Sequence, residues 1–453
     1  MPSRWNLSFS ALWSWINSTP PRMRLVAGVM SGVLALVFGV YILMQSPTYS
    51  QAEIANLVDK HIAANVMQDH PYPQRSTLIE AMKTLSDLNR GDAIEDFEDG
   101  TLSTAANIFK TQIQAFDSEP SSQKKAAEAY RNLGAIIFLS DIEQALAAYQ
   151  KAVEIDPDNP EGWSRLGFLF KHMGRRASAE EAFQKMLALS IRANDKKNMA
   201  VATNNLGLIF MNLNLSDLAK NYFQQSLNLS IELGDTFRMA AAYGHLGTLA
   251  MQDKDLDTAQ EHFLKSLNLN EQSDYIYGMA HNYGSLGTLA YQKGFEDEAE
   301  TYLIKAQALF KELDDVDELA KQHQMRGDVD KVRGDPKKSE EHYRSALELF
   351  EQIGNTEGIA TINGALGLLY KSSNRTDKAE IYFRKSLALY ETIGDRAGMA
   401  DQYQNLGLLY NERDDLGATC DSWRRSRALY QAIAQAIAEK LTQWMKQANC
   451  VLE

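Results

Sequence analysis

The chain has 453 residues, 45% of them apolar, with ten Pro and 27 Gly, which is enough apolar material for a core and too little Pro and Gly for wholesale disorder. Its formal charge of −13 is unevenly placed, because residues 1–52 hold only Arg4, Arg22 and Arg24 and no acid. An acidic remainder excludes nucleic acid as a general partner, since phosphate neutralisation needs clustered Lys and Arg, and it favours basic peptides or proteins.

Residues 1–24 carry Trp5, Phe9, Leu12, Trp13, Trp15 and Ile16 before Pro20-Pro21. They read either as an interfacial segment with aromatics at headgroup depth or as a disordered cytoplasmic tail. Residues 25–44 are uncharged throughout, and at ~1.5 Å per residue they match the ~30 Å core of a bilayer. The expectation is a single-pass transmembrane anchor. The cations lie on its N-terminal side and Glu53 is the first charge beyond it. Positive-inside bias therefore puts the N-terminus in the cytoplasm and the acidic body on the far side, periplasmic if bacterial. A cleaved signal peptide, with Ser50-Gln51-Ala52 as a weak cleavage match, and an organellar import leader are the alternatives.

Residues 45–120 read as a helical linker with a degenerate first repeat. Ile54, Val58, Ile62 and Val66 recur at helical spacing, and His70-Pro71-Tyr72-Pro73 closes that helix. Leu78, Met82, Leu85 and Leu88 mark a second helix, and Gly100, Ala105 and Phe109 match the second half of a repeat. Glu119-Pro120-Ser121-Ser122 is the joint to the regular repeats.

Beyond that joint a Gly returns every 40 residues, at 167, 207, 247, 287, 327, 367 and 407, with Gly134 one shorter step ahead. Leu precedes most of them. Ala follows twelve residues later in most copies (Ala179, Ala219, Ala259, Ala299, Ala379), and four further on comes a large residue: Phe183, Phe223, Phe263, Leu303, Tyr343, Phe383 or Trp423. A fixed period marks a repeat array. Each unit holds two apolar-periodic helices; in one, the first spans roughly 199–213, a turn falls at Leu215-Ser216-Asp217, and the second runs to Leu233. Gly234-Asp235 closes that helix and caps the next, as do Gly354-Asn355 and Gly394-Asp395. The small Gly and Ala let the helices approach, and the large residue fills the space beside them. No strand-like alternation appears, so the fold class is all-α.

These motifs resemble the tetratricopeptide repeat (TPR) family. Tyr130-x-x-Leu133-Gly134 leads to Pro157, and Trp163-x-x-Leu166-Gly167-x-x-Phe170 leads to Ala179 and Phe183; Asp156-Pro157-Asp158-Asn159 is a usual unit ending. From Ala200 the units lengthen to 40, with Ala at 240, 280, 320, 360 and 400. That form is similar to the repeats of kinesin light chain, Pins-type scaffolds and bacterial Rap regulators. The resemblance implies a right-handed superhelical solenoid of helix-turn-helix TPR units, eight of them over 121–432, with a capping helix over 433–453. It also implies a concave groove for a protein or peptide, lined by the first helix of each unit. By position the groove residues are Asn204, Asn205, Leu208, Met211 and Asn212, then His245, Thr248, Met251 and Gln252, then His281, Ser285, Thr288, Tyr291 and Gln292. Gly244, Gly284 and Gly364 on the same face would leave a shallow trough. Asn and Gln there can pair with the backbone of an extended peptide; the alternative is ordinary solvated residues.

One unit departs from the pattern: Arg326 replaces the Leu before Gly327, Asp330 replaces Tyr or Phe, and Ser339 replaces Ala. It reads either as a purposeful polar patch or hinge, or as a drifted repeat that solvates its charges. Asp335-Pro336 still makes a good helix start.

No phosphate loop, dinucleotide fingerprint or HExxH occurs. His262 and His342 stand where sister units have Tyr222, Tyr302 and Tyr382, and no two His have metal-ligand spacing with a carboxylate. The expectation is a non-enzyme without cofactor or metal. Cys420 and Cys450 meet as a disulfide if two antiparallel helices carry them; two thiols are the alternative, ~45 Å apart in one unbroken helix. The leading functional expectation is a membrane-anchored, non-enzymatic scaffold or adaptor. The alternative is a regulatory sensor whose superhelix binds a signalling peptide or small ligand, and a structural spacer is a third.

Overall fold

A computed structural model describes residues 72–88, 102–117, 120–138 and 140–451, with Ile54, Ala93 and Ile94. The described residues are helical throughout, without a strand. They fall into two compact units, one within residues 1–172 and the other within 173–453.

The first unit holds α1 (Tyr72–Asp87), α2 (Ser103–Asp117), α3 (Gln123–Ile137), α4 (Ile142–Ile155) and α5 (Pro160–His172). Leu78, Met82 and Leu85 of α1 are buried. Asp141 starts α4 by accepting from the backbone N–H of Gln144 at 2.9 Å. Arg165 of α5 is buried and spans back to α1, its guanidinium donating to Glu80 at 2.7 Å and to Glu161 at 2.6 Å.

The second unit alternates first and second helices: α6 (Arg176–Arg192), α7 (Lys196–Asn212), α8 (Ser216–Leu233), α9 (Thr236–Gln252), α10 (Leu256–Gln272), α11 (Ile276–Gln292), α12 (Glu296–Glu312), α13 (Val316–Arg333), α14 (Pro336–Ile353), α15 (Thr356–Ser372), α16 (Thr376–Ile393), α17 (Arg396–Glu412), α18 (Leu416–Tyr430) and α19 (Gln435–Gln447). Helix α7 begins earlier than the apolar pattern indicates, because Asp195 accepts from the N–H of Asn198 at 3.1 Å. Its closing turn lies at Leu213–Leu215, where Asn214 takes a φ of 56°, and Ser216 and Asp217 already belong to α8. Gly234, Gly354 and Gly394 adopt the left-handed cap, and Asp235, Asn355 and Asp395 cap the helices that follow.

Three fixed spacings hold these units together. Sixteen residues after the recurring Gly, the large side chain covers its backbone: a β-carbon on Gly207 would stand 2.6 Å from the ring of Phe223. Over 26 residues, the buried hydroxyls of Ser226, Ser266, Ser386 and Ser426 donate to the carbonyls of Ala200, Ala240, Ala360 and Ala400 at 2.7–3.0 Å. Over 36 residues, ion pairs join consecutive units: Lys293 to Asp257, Arg333 to Asp297 and Arg413 to Asp377, at 2.7–2.8 Å.

The unit that departs from the pattern keeps its charges inside. Arg326 donates to Glu300 of α12 through Nε at 3.0 Å and to Gln307 at 2.7 Å. Asp330 is buried, 3.7 Å from Arg333 and 3.6 Å from Nε2 of His342. Ser339 is buried and donates to the carbonyl of Gly327 at 2.8 Å. Each of these groups thus has a partner within the protein, on its own helix, its own unit or the preceding one. Asp335 caps α14 at the N–H of Lys338, with Pro336 in its first turn.

The single-pass membrane localisation expected from the sequence is corrected. Among the described residues no helix is long and apolar enough to cross a membrane. Even α11, which has no charged side chain, has only 17 residues and is interrupted by His281, Asn282, Ser285 and Thr288. At ~1.5 Å per residue it falls short of a ~30 Å bilayer core. The run at 25–44, the tail at 1–24 and the helix expected over 51–69, apart from Ile54, lie outside the described residues.

Candidate functional site

In the second unit α7 packs on α9, α9 on α11, α11 on α13 and α15 on α17. Direct contact between consecutive first helices puts residues 40 apart into columns. One column runs Asn204, Gly244, Gly284; the next runs Asn205, His245, Ser285; and a third runs Leu208, Thr248, Thr288.

The groove residues expected from the sequence divide by exposure. Asn204 is half-buried, and its Oδ1 is shielded from solvent without a protein hydrogen-bond partner. Asn205 is buried and donates to the carbonyl of Val201 at 2.9 Å, so its amide is tied to its own helix. Leu208 and Met211 are half-buried against the core around Phe223. His245 is half-buried and stacks on Phe223, ring centroids 5.1 Å apart. Thr248 and Thr288 each donate to a carbonyl one turn back, Gly244 and Gly284, at 3.1 Å. Met251 is half-buried against the core around Phe263. Ser285 is half-buried, and Asn212, Gln252 and Gln292 are exposed at the helix ends.

His281 meets Tyr277 and Phe310 edge-on, at 4.4 and 5.1 Å between centroids. Burial, with Lys321 nearby, lowers its pKa to about 4, and its Nε2 has no hydrogen-bond partner. Tyr291 lies against Leu303 and Val329, and burial, reinforced by Asp328, raises its phenol pKa.

The trough expected over the glycines is largely filled. A β-carbon on Gly284 would stand 3.1 Å from the amide of Gln322, and one on Gly364 would stand 3.2 Å from that of Gln402. Each Gln belongs to the next first helix and needs the missing side chain to fit. Only Gly244 of the three meets nothing closer than Ser266 Oγ, at 3.5 Å. Gln322 and Gln402 were legible only as register partners of Asn282.

At the C-terminal end α18 and α19 are separate helices that pack on one another. They place the Cα atoms of Cys420 and Cys450 5.5 Å apart, with the two sulfurs joined. Trp423 and Tyr430 of α18 close over Leu441 and Met445 of α19. Among the described residues no cluster of three or more His, Cys, Asp or Glu is arranged to hold a metal ion.

Tetratricopeptide-repeat family models match residues 201–230, 240–273 and 317–392, and a TPR-repeat model matches 139–174. No curated protein sequence matches the chain. Similar solved structures include a Rap protein complexed with competence and sporulation factor, at 14% identity over 80% of this chain and 99% of that one, TM-score 0.55. Aspartyl phosphate phosphatase F from Bacillus subtilis is 14% identical over 85% and 96%, TM-score 0.52. The apo form of RapI is 15% identical over 60% and 97%, TM-score 0.50. At these identities the likeness is one of fold. With the 40-residue register, the Gly-to-aromatic packing and the matched repeats in hand, residues 139–174, 201–230, 240–273 and 317–392 are tetratricopeptide repeats.

Proposed function

We propose that the chain is a non-enzymatic scaffold whose first-helix face holds a segment of another protein or a peptide. The observation that carries this reading is the unpartnered Oδ1 of Asn204, an acceptor at the head of a column that continues over the open backbone of Gly244. An extended segment there would supply the missing donor from its own backbone once the Asn204 amide turns its shielded Oδ1 outward. The charge of −13 favours a basic segment. Asn204→Ala alone is the test, because Asn205 is committed to Val201 within its helix. Affinity capture should recover several-fold less partner with the variant than with the wild type at matched thermal stability. Equal recovery would overturn the reading.

A second reading, a regulatory sensor, is favoured by one fold relative, the Rap protein solved with competence and sporulation factor. It predicts that a small ligand alone raises the melting temperature of this chain. A scaffold would respond only to a protein segment or peptide.

A further inference from the structure

Three first helices of the array carry Tyr at one register: Tyr243, Tyr283 and Tyr403. Two of these phenols reach across to the preceding second helix, Tyr283 donating to Glu271 at 3.3 Å and Tyr403 to Glu391 at 3.4 Å. A cation 22 residues on lies over each ring: Lys265 over Tyr243 at 5.5 Å, Lys305 over Tyr283 at 5.0 Å and Arg425 over Tyr403 at 5.6 Å. The ring thus plugs the gap between consecutive second helices.

In the unit of α13 and α14 all three members of this arrangement change. His323 stands for Tyr, Lys311 for the Glu, and Ser345 for the cation. The His323 imidazole turns toward His342, with Nδ1 atoms 3.4 Å apart, and does not cross to α12. A cleft of about 510 Å³ opens in its place, lined by Ile304, Gln307, Lys311, Leu319, His323 and Ser345 among others. The Nε2 of Gln307 is buried without a hydrogen-bond partner, while its Oε1 is taken by Arg326. Burial, then His342 and Arg326, lowers the pKa of His323 to about 4, so the floor is a neutral aromatic ring at neutral pH.

We propose that this cleft binds a planar aromatic ring carrying a carboxylate or comparable acceptor. The ring takes the place that Tyr283 fills one unit earlier, between Ile304 and Leu319 and against the His323 imidazole. The acceptor meets Lys311 and the unpaired N–H of Gln307, where the preceding unit has an acid, Glu271. Glu348 on the opposite wall repels a second anion and so sets the ligand's polarity. The site is independent of the reading of Asn204.

A free aromatic acid and an aromatic residue in an acidic peptide share this chemistry. Two fluorinated probes separate them: 4-fluorophenylacetate, and an acetylated, amidated Asp-(4-fluoro-Phe)-Asp peptide, each titrated into the full chain by ¹⁹F line broadening. At least one probe should bind saturably, and the tighter one names the source. The Lys311→Glu/His323→Tyr double variant, which rebuilds the plug of the preceding unit, should lose binding about tenfold or more while its melting temperature holds or rises. Ser345→Glu, which sets a second anion beside Glu348 at the cleft, should also weaken binding and serves if the double variant folds poorly. Failure of both probes to saturate on the wild type below about 10 mM, or undiminished binding by the variants, would overturn the proposal.

Discussion

Gly367 lies under the ring of Phe383, so close that a β-carbon added to it would stand 2.5 Å from Cδ1 and Cε1. Phe383 is fully buried and has no room to retreat. Gly367→Ala should therefore destabilise by a net ~2 kcal/mol at most, since overpacking costs about 1–3 kcal/mol against the ~1 kcal/mol that Ala gains over Gly in a helix interior. Urea unfolding of the two proteins side by side checks this. A variant as stable as the wild type would mean that the recurring Gly is not a packing requirement.

Arg326→Leu restores the residue that sister units carry, yet it should cost about 1–3 kcal/mol, because Glu300 loses the guanidinium that neutralises it in a half-buried site. Adding Glu300→Gln should return most of the loss. A double-mutant cycle measures the coupling. If Arg326→Leu is neutral or stabilising, the pair contributes nothing to the fold.

The pH dependence stems from His281. Its folded pKa is about 4 against an ordinary 6.5, so the unfolded chain binds the proton more readily. Stability is complete above about 6.5 and falls as pH drops from there toward about 4, with a slope of at most ~1.4 kcal/mol per pH unit from this group. His281→Val, the residue at the same register in Val201, should flatten the decline in melting temperature over that window. His262, His323 and His342 shift in the same direction, so part of the slope should remain.

The Cys420–Cys450 link closes a loop of 30 residues. Chain entropy for such a loop amounts to about 3–4 kcal/mol at 25 °C. Cys450→Ser should raise amide exchange over α19 and leave α9–α12 unchanged, because units of a repeat array depend chiefly on their neighbours. Equal protection of α19 in both proteins would show that Trp423 and Tyr430 hold it unaided.

What the sequence made legible was whatever a unit decides by itself. The Gly at 40-residue spacing and its aromatic partner announce close helix packing, and Gly234-Asp235 or Asn355 announce where helices stop and start. What stayed hidden depends on the adjoining unit. Nothing near Gly284 says that Gln322 will occupy its face, and nothing near Arg326 points to Glu300 on the preceding helix. The burial of His281 is equally silent, because its column otherwise holds residues as different as Val201, Lys321 and Asp401. The functional column was therefore found in phase but not in detail: Asn204 keeps an unused acceptor, whereas its neighbour Asn205 is consumed within α7.

The 36-residue ion pairs and the C-terminal link bear on how the array would yield to mechanical tension. Lys293–Asp257, Arg333–Asp297 and Arg413–Asp377 sit at joints between consecutive units, so a pull on the two ends would load those joints in turn. Each 40-residue unit released would lengthen the chain by roughly 140 Å. The stretch between Cys420 and Cys450 would be withheld from that extension until a reductant set it free. Salt would soften the exposed joints without touching that last tether.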